Sequence, residues 1–189
     1  EIETRRGSLA EPVVGENFNL IVSNPPFVIG NATALLHRES PLEADSLTAE
    51  LLSMLPAHLE VGGHAVVLSA WLVTADSEWQ TRVEQWLPEN CDVWVGLRST
   101  QTVDEYVDFW LADSGHADDV SLRDLWRGRL NAWQATEVAF GFIVVRKREG
   151  DNGSRGEDLR RAVTLPDGEQ VLQRLAAADV AEQLTAVDA

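Results

Sequence analysis

Four consecutive residues, Asn24-Pro25-Pro26-Phe27, combine group types that can hold an amine. The asparagine side chain offers one carbonyl acceptor and one amide donor. The carbonyl of Pro25 is a second acceptor, since proline lacks only the N–H. Two acceptors converging on one point suit an NH2 group gripped by both hydrogens, with the nitrogen lone pair facing a third direction. Phe27 adds a flat face on which a planar group stacks. The chemistry expected is the aiming of a weakly nucleophilic planar nitrogen at an electrophile. Positioning of that kind lowers a barrier by up to about 7–11 kcal/mol. No strong general base is required if the proton leaves after attack.

The elements that must position these residues start just before them. Phe18, Leu20, Ile21 and Val22 form a compact apolar run that predicts a buried strand over 18–23. Two prolines end it, and Asn24, preceding a proline, is driven towards an extended conformation. The four residues thus form a rigid lip at the carboxyl end of a strand, where open α/β sheets bind ligands. A short strand is expected over 1–9, a turn-rich connection over 10–17 and a loop over 28–41. Helical spacing of Leu47, Leu51, Leu52, Leu55 and Leu59 predicts a helix over 43–60, broken or kinked at Pro56 and ended by Gly62-Gly63. Strands follow at 64–70, 91–98 and 138–148, with an amphipathic helix over 76–88. This alternation argues for a largely parallel sheet with crossover helices. Residues 103–134 interrupt it as two short amphipathic helices, rich in tryptophan and acids. Residues 149–157 read as a linker. Residues 158–189 read as a small tail, a strand over 159–165 and a helix through 169–185.

A length of 189 residues suits one domain with a small appendage. No apolar run is long enough to span a bilayer. The formal charge of −16 disfavours broad non-specific binding to phosphate backbones. Lys147 is the sole lysine among fifteen basic residues. One cysteine, Cys91, excludes an internal disulfide, reads as a buried thiol and points to a cytoplasmic location. The chain starts without methionine at Glu1-Ile2-Glu3-Thr4, as if already inside a strand, and reads as a piece of a longer protein.

Val22-Ser23-Asn24-Pro25-Pro26-Phe27 resembles the [Asp/Asn]-Pro-Pro-[Tyr/Phe/Trp] signature of class I AdoMet-dependent methyltransferases acting on amide or exocyclic amino nitrogens. These include adenine-N6 DNA methylases, guanine-N2 ribosomal RNA methylases and release-factor glutamine-N5 methyltransferases. The stretch from Arg38 to Leu47 is similar to small-domain methyltransferases of actinobacterial type. The resemblance covers roughly 1–148. It implies an α/β fold with a Rossmann-like sheet, mostly parallel with an antiparallel last strand. Residues 18–23, 64–70, 91–98 and 138–148 would be its fourth to seventh strands. It implies that Asn24 and the Pro25 carbonyl bind the target NH2, that Pro26 keeps the loop rigid and that Phe27 stacks on the acceptor. It implies S-adenosyl-L-methionine as cofactor, with Asn24 at the edge of the cofactor pocket. The substrate would be a nucleic-acid base or a protein glutamine; the acidic charge leans towards glutamine, while the signature permits adenine or guanine equally. The family's glycine-rich cofactor loop and its ribose-gripping acidic residue are absent, so an amino-terminally truncated sheet is expected.

The remaining chemistry-bearing residues read as structural. His37, His58, His64 and His116 have no metal spacing. Ser23, Val28 and Ile29 read as loop packing, and Glu43 and Asp45 as a solvated helix start. Arg146-Lys147-Arg148 reads as edge protection. The helices of 103–134 are expected to pack their aromatic face on the sheet and show acids to water, or to serve as a lid or a surface for a protein partner. A non-catalytic protein-binding module is the alternative function.

Overall fold

The computed structural model describes residues 2–30, 44–150 and 153–187. It is an α/β fold built on a five-stranded mixed sheet of order β1-β2-β4-β3-β5, compatible with a Rossmann-like architecture. The strands are β1 (Phe18–Ser23), β2 (Leu59–Thr74), β3 (Cys91–Thr102), β4 (Ala135–Lys147) and β5 (Gly153–Asp158). The helices are α1 (Ser46–His58), α2 (Thr81–Glu84), α3 (Val103–Asp113), α4 (Val120–Ala132) and α5 (Gly168–Val187). β1 runs parallel to β2, and β5 parallel to β3. β4 lies between β2 and β3 and is antiparallel to both. Four strands therefore share one direction and β4 alone opposes it.

The leucine spacing of α1 buries Leu47 and puts Leu51, Leu52 and Leu55 into one core cluster with Ala65, Val67 and Trp71 of β2. Pro56 stays within the helix, and the chain passes straight from His58 into β2. The last carbonyls of α1 find a donor instead of a glycine cap: Lys147 Nζ donates to Pro56 O at 2.7 Å and to Leu59 O at 2.8 Å. Gly62 and Gly63 lie inside β2. Burial pushes the Cys91 thiol up to about 11, so it packs as an apolar side chain at neutral pH.

Several sequence expectations change. β1 is an edge strand rather than a buried one, with Leu20 and Val22 60% and 72% exposed, because among the described residues β2 alone pairs with it. No strand forms over 2–9; a 3-10 turn, Glu11–Val13, precedes β1. The helix expected over 76–88 shortens to α2, since the Trp71 indole donates to Trp79 O at 2.7 Å and holds that segment in a turn. Residues 153–157, expected in the linker, form β5 on the sheet together with Asp158, and 159–165, expected as a strand, turn back as loop. Arg146-Lys147-Arg148 protects no edge, because β4 is an interior strand. Arg146 and Arg148 instead pair with Asp92, which is 4% exposed.

α5 closes the side of the sheet opposite α1 through Val171 and Leu175, packed on Trp94, Val144 and Leu159. Ion pairs tether it. Arg146 meets Asp179, with Arg148 also 3.8 Å from that carboxylate, and Arg174 Nε donates to Glu157 Oε2 at 2.7 Å. The hydrogen bonds from Arg146 and Arg174 hold these two carboxyls below their ordinary values of 3.8 and 4.5. A lowered folded-state pKa means that the unfolded chain takes up protons first as pH falls. The stabilisation is complete above about pH 5 and is lost as pH drops through the lowered values. Amide exchange corrected for intrinsic rate should show α5 losing protection between pH 5 and 3 while β4 keeps it. Simultaneous loss in both elements would refute the tether.

Candidate functional site

Asn24-Pro25-Pro26-Phe27 follows the carboxyl end of β1 directly, beside the middle of β2, where Ser23 pairs with Val67. All four residues line one cavity of about 340 Å³, together with Val28, Leu68 of β2 and Trp110 of α3. Asn24 is exposed, and among the described residues nothing hydrogen-bonds its side chain. Phe27 is half-buried, its ring meeting Phe140 edge-on at 6.3 Å between centroids. Each residue type assigned to amine binding is thus in one place, with the amide accessible and the aromatic ring fixed.

The lip is anchored from behind. Val28 and Ile29 are buried, as loop packing requires. The Ile29 N–H donates to Tyr106 Oη at 2.7 Å. Gly30 lies against Trp126 of α4, where a Cβ would come within 2.7 Å of the indole ring. Tyr106 packs on Phe140 and Trp126, 5.8 and 6.4 Å between centroids. The helices of 103–134 are therefore the back wall of the lip, and their buried aromatics do face the sheet. α3 begins immediately at the end of β3 because Thr102 and Glu105 form a reciprocal capping box. The Thr102 N–H donates to Glu105 and holds that carboxyl below its ordinary value.

Tyr106→Phe keeps the ring and leaves a buried backbone N–H without its acceptor. The expected cost is about 1–3 kcal/mol. Urea denaturation should show it as a lower midpoint with unchanged slope.

Sequence reasoning missed Tyr106, Trp110, Trp126 and Gly30 as partners of the lip. Tyr106 and Trp110 stand four residues apart, a helical spacing that marks a shared face but names no partner. It also misread Asp45. That carboxylate is 3% exposed rather than solvated, accepts the Leu72 N–H at 2.9 Å and pairs with Arg82. It joins the start of α1 to the end of β2. His37, Glu43 and most of the stretch from Arg38 to Leu47 lie outside the described residues. His58 is buried, with Nδ1 3.3 Å from Glu16 O. Burial and nearby Arg146 push His64 below its ordinary value, leaving a neutral imidazole at pH 7.

A larger groove of about 540 Å³ lies away from the lip. It sits between the sheet and the start of α5 and is lined mainly by apolar side chains, including Leu20, Val66, Trp94 and Phe142. The smaller cavity holds the exposed amide of Asn24. Among the described residues, no strand-to-helix connection carries glycines that could cradle a nucleotide-like cofactor. β3 enters α3 without a loop, and the segment from β2 to α2 has none. The described residues do not supply the glycine-rich loop of an AdoMet site. No group of three His, Cys, Asp or Glu comes together among the described residues, and no described helix is long and apolar enough to cross a membrane. Neither protein-family models nor curated proteins yield a match to the chain.

Proposed function

We propose that this chain is the acceptor-binding part of an AdoMet-dependent N-methyltransferase, and that its lip grips a planar NH2 group. The observation that carries this reading is the shared cavity of Asn24, Pro25, Pro26 and Phe27 at the carboxyl end of β1. In that cavity Asn24 Oδ1 and the Pro25 carbonyl are the acceptors for the two amine hydrogens. Pro25 and Pro26 hold the acceptors in place, because their φ angles are fixed. Phe27, braced by Phe140, supplies a face for the acceptor's π-system. The methyl donor belongs to polypeptide outside the described residues. Among the described residues the outer edge of β1 is unpaired, and its backbone groups with the exposed Leu20 and Val22 can accept another strand.

The alternative, a non-catalytic protein-binding module, would use the outer face of α3 and α4, where Phe109, Val120 and Leu125 are exposed. The larger aromatics Trp110 and Trp126 are buried in packing, so less of that surface is available to a partner. Mass analysis of nucleic acid and protein from cells with and without the gene tests the reading. A methylated amino or amide nitrogen should vanish with the gene. Identical methylation in both cell types would refute it.

A further inference from the structure

We propose that Tyr106 is a positioning residue of the acceptor site: its hydroxyl holds the far end of the lip and so fixes the direction in which Asn24 aims the amine. This rests on the reading of the lip as an NH2-binding site and adds the residue that sets its geometry from outside the cavity.

The lip is a stiff segment held from both ends. Pro25 and Pro26 have fixed φ angles, so Asn24 to Phe27 move as a unit. Before the lip, Ser23 sits in the β1–β2 ladder opposite Val67. Beyond it, the Ile29 N–H donates to Tyr106 Oη at 2.7 Å, and both residues are buried. The ring of Tyr106 reaches the lip by a second route. It lies on Phe140 at 5.8 Å and 32° between planes, and Phe140 meets Phe27 edge-on at 6.3 Å. One side chain thus bears on the backbone that leaves the lip and on the aromatic face within it. Tyr106 does not line the cavity, so it acts through Ile29 and Phe140.

A clamp works only if it does not move. Tyr106 follows directly on Glu105, whose capping box with Thr102 fixes the first turn of α3 at the end of β3. Its ring is wedged between Trp110 and Trp126, 6.3 and 6.4 Å between centroids. Replacing tyrosine by phenylalanine removes the hydroxyl and keeps this wedge, which isolates the hydrogen bond. The side chains of Val28 and Ile29 still pack in the same core cluster, so the segment stays docked. What is lost is the fixed direction of the backbone at Ile29, and the stiff lip then swings about Ser23. A displacement on the order of 1 Å in a positioning group lowers a rate by up to about a hundredfold.

The test compares Tyr106→Phe with Val83→Ala, which truncates a buried side chain of α2 in the other core cluster and controls for a general loss of stability. One readout is nitrogen relaxation dispersion on the full labelled chain, at the Asn24 side-chain amide, assigned with Asn24→Ala, and at the backbone amides of Phe27, Val28 and Ile29. The other is the rate at which the gene-dependent methyl mark forms in cells carrying each variant. Tyr106→Phe should bring microsecond-to-millisecond exchange to the lip signals and slow the mark about tenfold or more. Val83→Ala should leave the lip quiet and the mark within about twofold of the parent. If Asn24→Ala abolishes the mark while Tyr106→Phe behaves like Val83→Ala, the positioning role is overturned and the lip reading stands. A slowed mark with a quiet lip, or a moving lip with the parental rate, also overturns the positioning role alone. A mark made at the parental rate by Asn24→Ala, or no gene-dependent mark, overturns the lip reading and this inference together.

Discussion

Asn24→Ala is expected to lower methyl transfer roughly a thousandfold, or about 4 kcal/mol of transition-state stabilisation. The side chain is the proposed grip on the amine, and the main loss is orientation. Asn24 is exposed and unbonded among the described residues, so the variant should unfold within about 0.5 kcal/mol of the parent. That separation makes the result interpretable. Asn24→Asp keeps an acceptor oxygen in the place of Oδ1 and should retain far more activity than the alanine variant. The measurement is the rate of methyl incorporation in cells that carry each variant in place of the parent gene. A mark formed at the parental rate by Asn24→Ala would count against the amine-binding role.

The largest stability effect is expected at Asp92. This carboxylate is 4% exposed and sits at the start of β3, opposite Arg146 in the β3–β4 register. Arg146 Nε donates to it at 3.0 Å and Arg148 at 2.8 Å. Arg146 also reaches Asp179, so the cluster joins β3, β4 and α5. Asp92→Ala leaves two guanidiniums facing each other with their shared anion removed. Breaking such a pair typically costs about 3–5 kcal/mol, and the partial solvent access of both arginines favours the lower end. Chemical denaturation should show a drop of about 3 kcal/mol. A loss under about 1 kcal/mol would mean that the arginines find water or Asp179 as adequate substitutes.

These two positions differ in how visible they are to sequence reasoning. The lip is a local feature. A β-rich run, two prolines and an asparagine dictate an extended strand with a rigid end, whatever surrounds them. Asp92 is a charged residue at the head of the apolar run Val93–Leu97, and nothing near it in sequence names Arg146 as its partner. The tripeptide Arg146-Lys147-Arg148 shows the same limit. Three consecutive cations suggest an exposed edge, but an interior strand accommodates them when each has an anion or a carbonyl waiting. Lys147 has the end of α1 and the arginines have Asp92.

The helical pair α3–α4 illustrates an intermediate case. Its amphipathic spacing predicts two helices that bury aromatics, and both form. The Thr102-x-x-Glu105 pattern marks where the first begins. What spacing does not encode is that Tyr106, Trp110 and Trp126 close around the lip. That follows from the path of the chain, which brings the end of β3 and the end of β1 to the same end of the sheet.

The sequence by itself determined the residue chemistry of the lip, the breaks that shape it, most of the strands and the helical faces. These depend on φ preferences and short-range periodicity, which neighbouring residues set. Only the tertiary structure decided that β1 stands at an edge, that β4 is interior, that residues 153–158 join the sheet, and that Trp110 walls the cavity of Asn24. Each of those depends on which distant groups share hydrogen bonds or exclude water together. Such pairings are settled by the packing of the whole sheet, and no local window of the chain contains them.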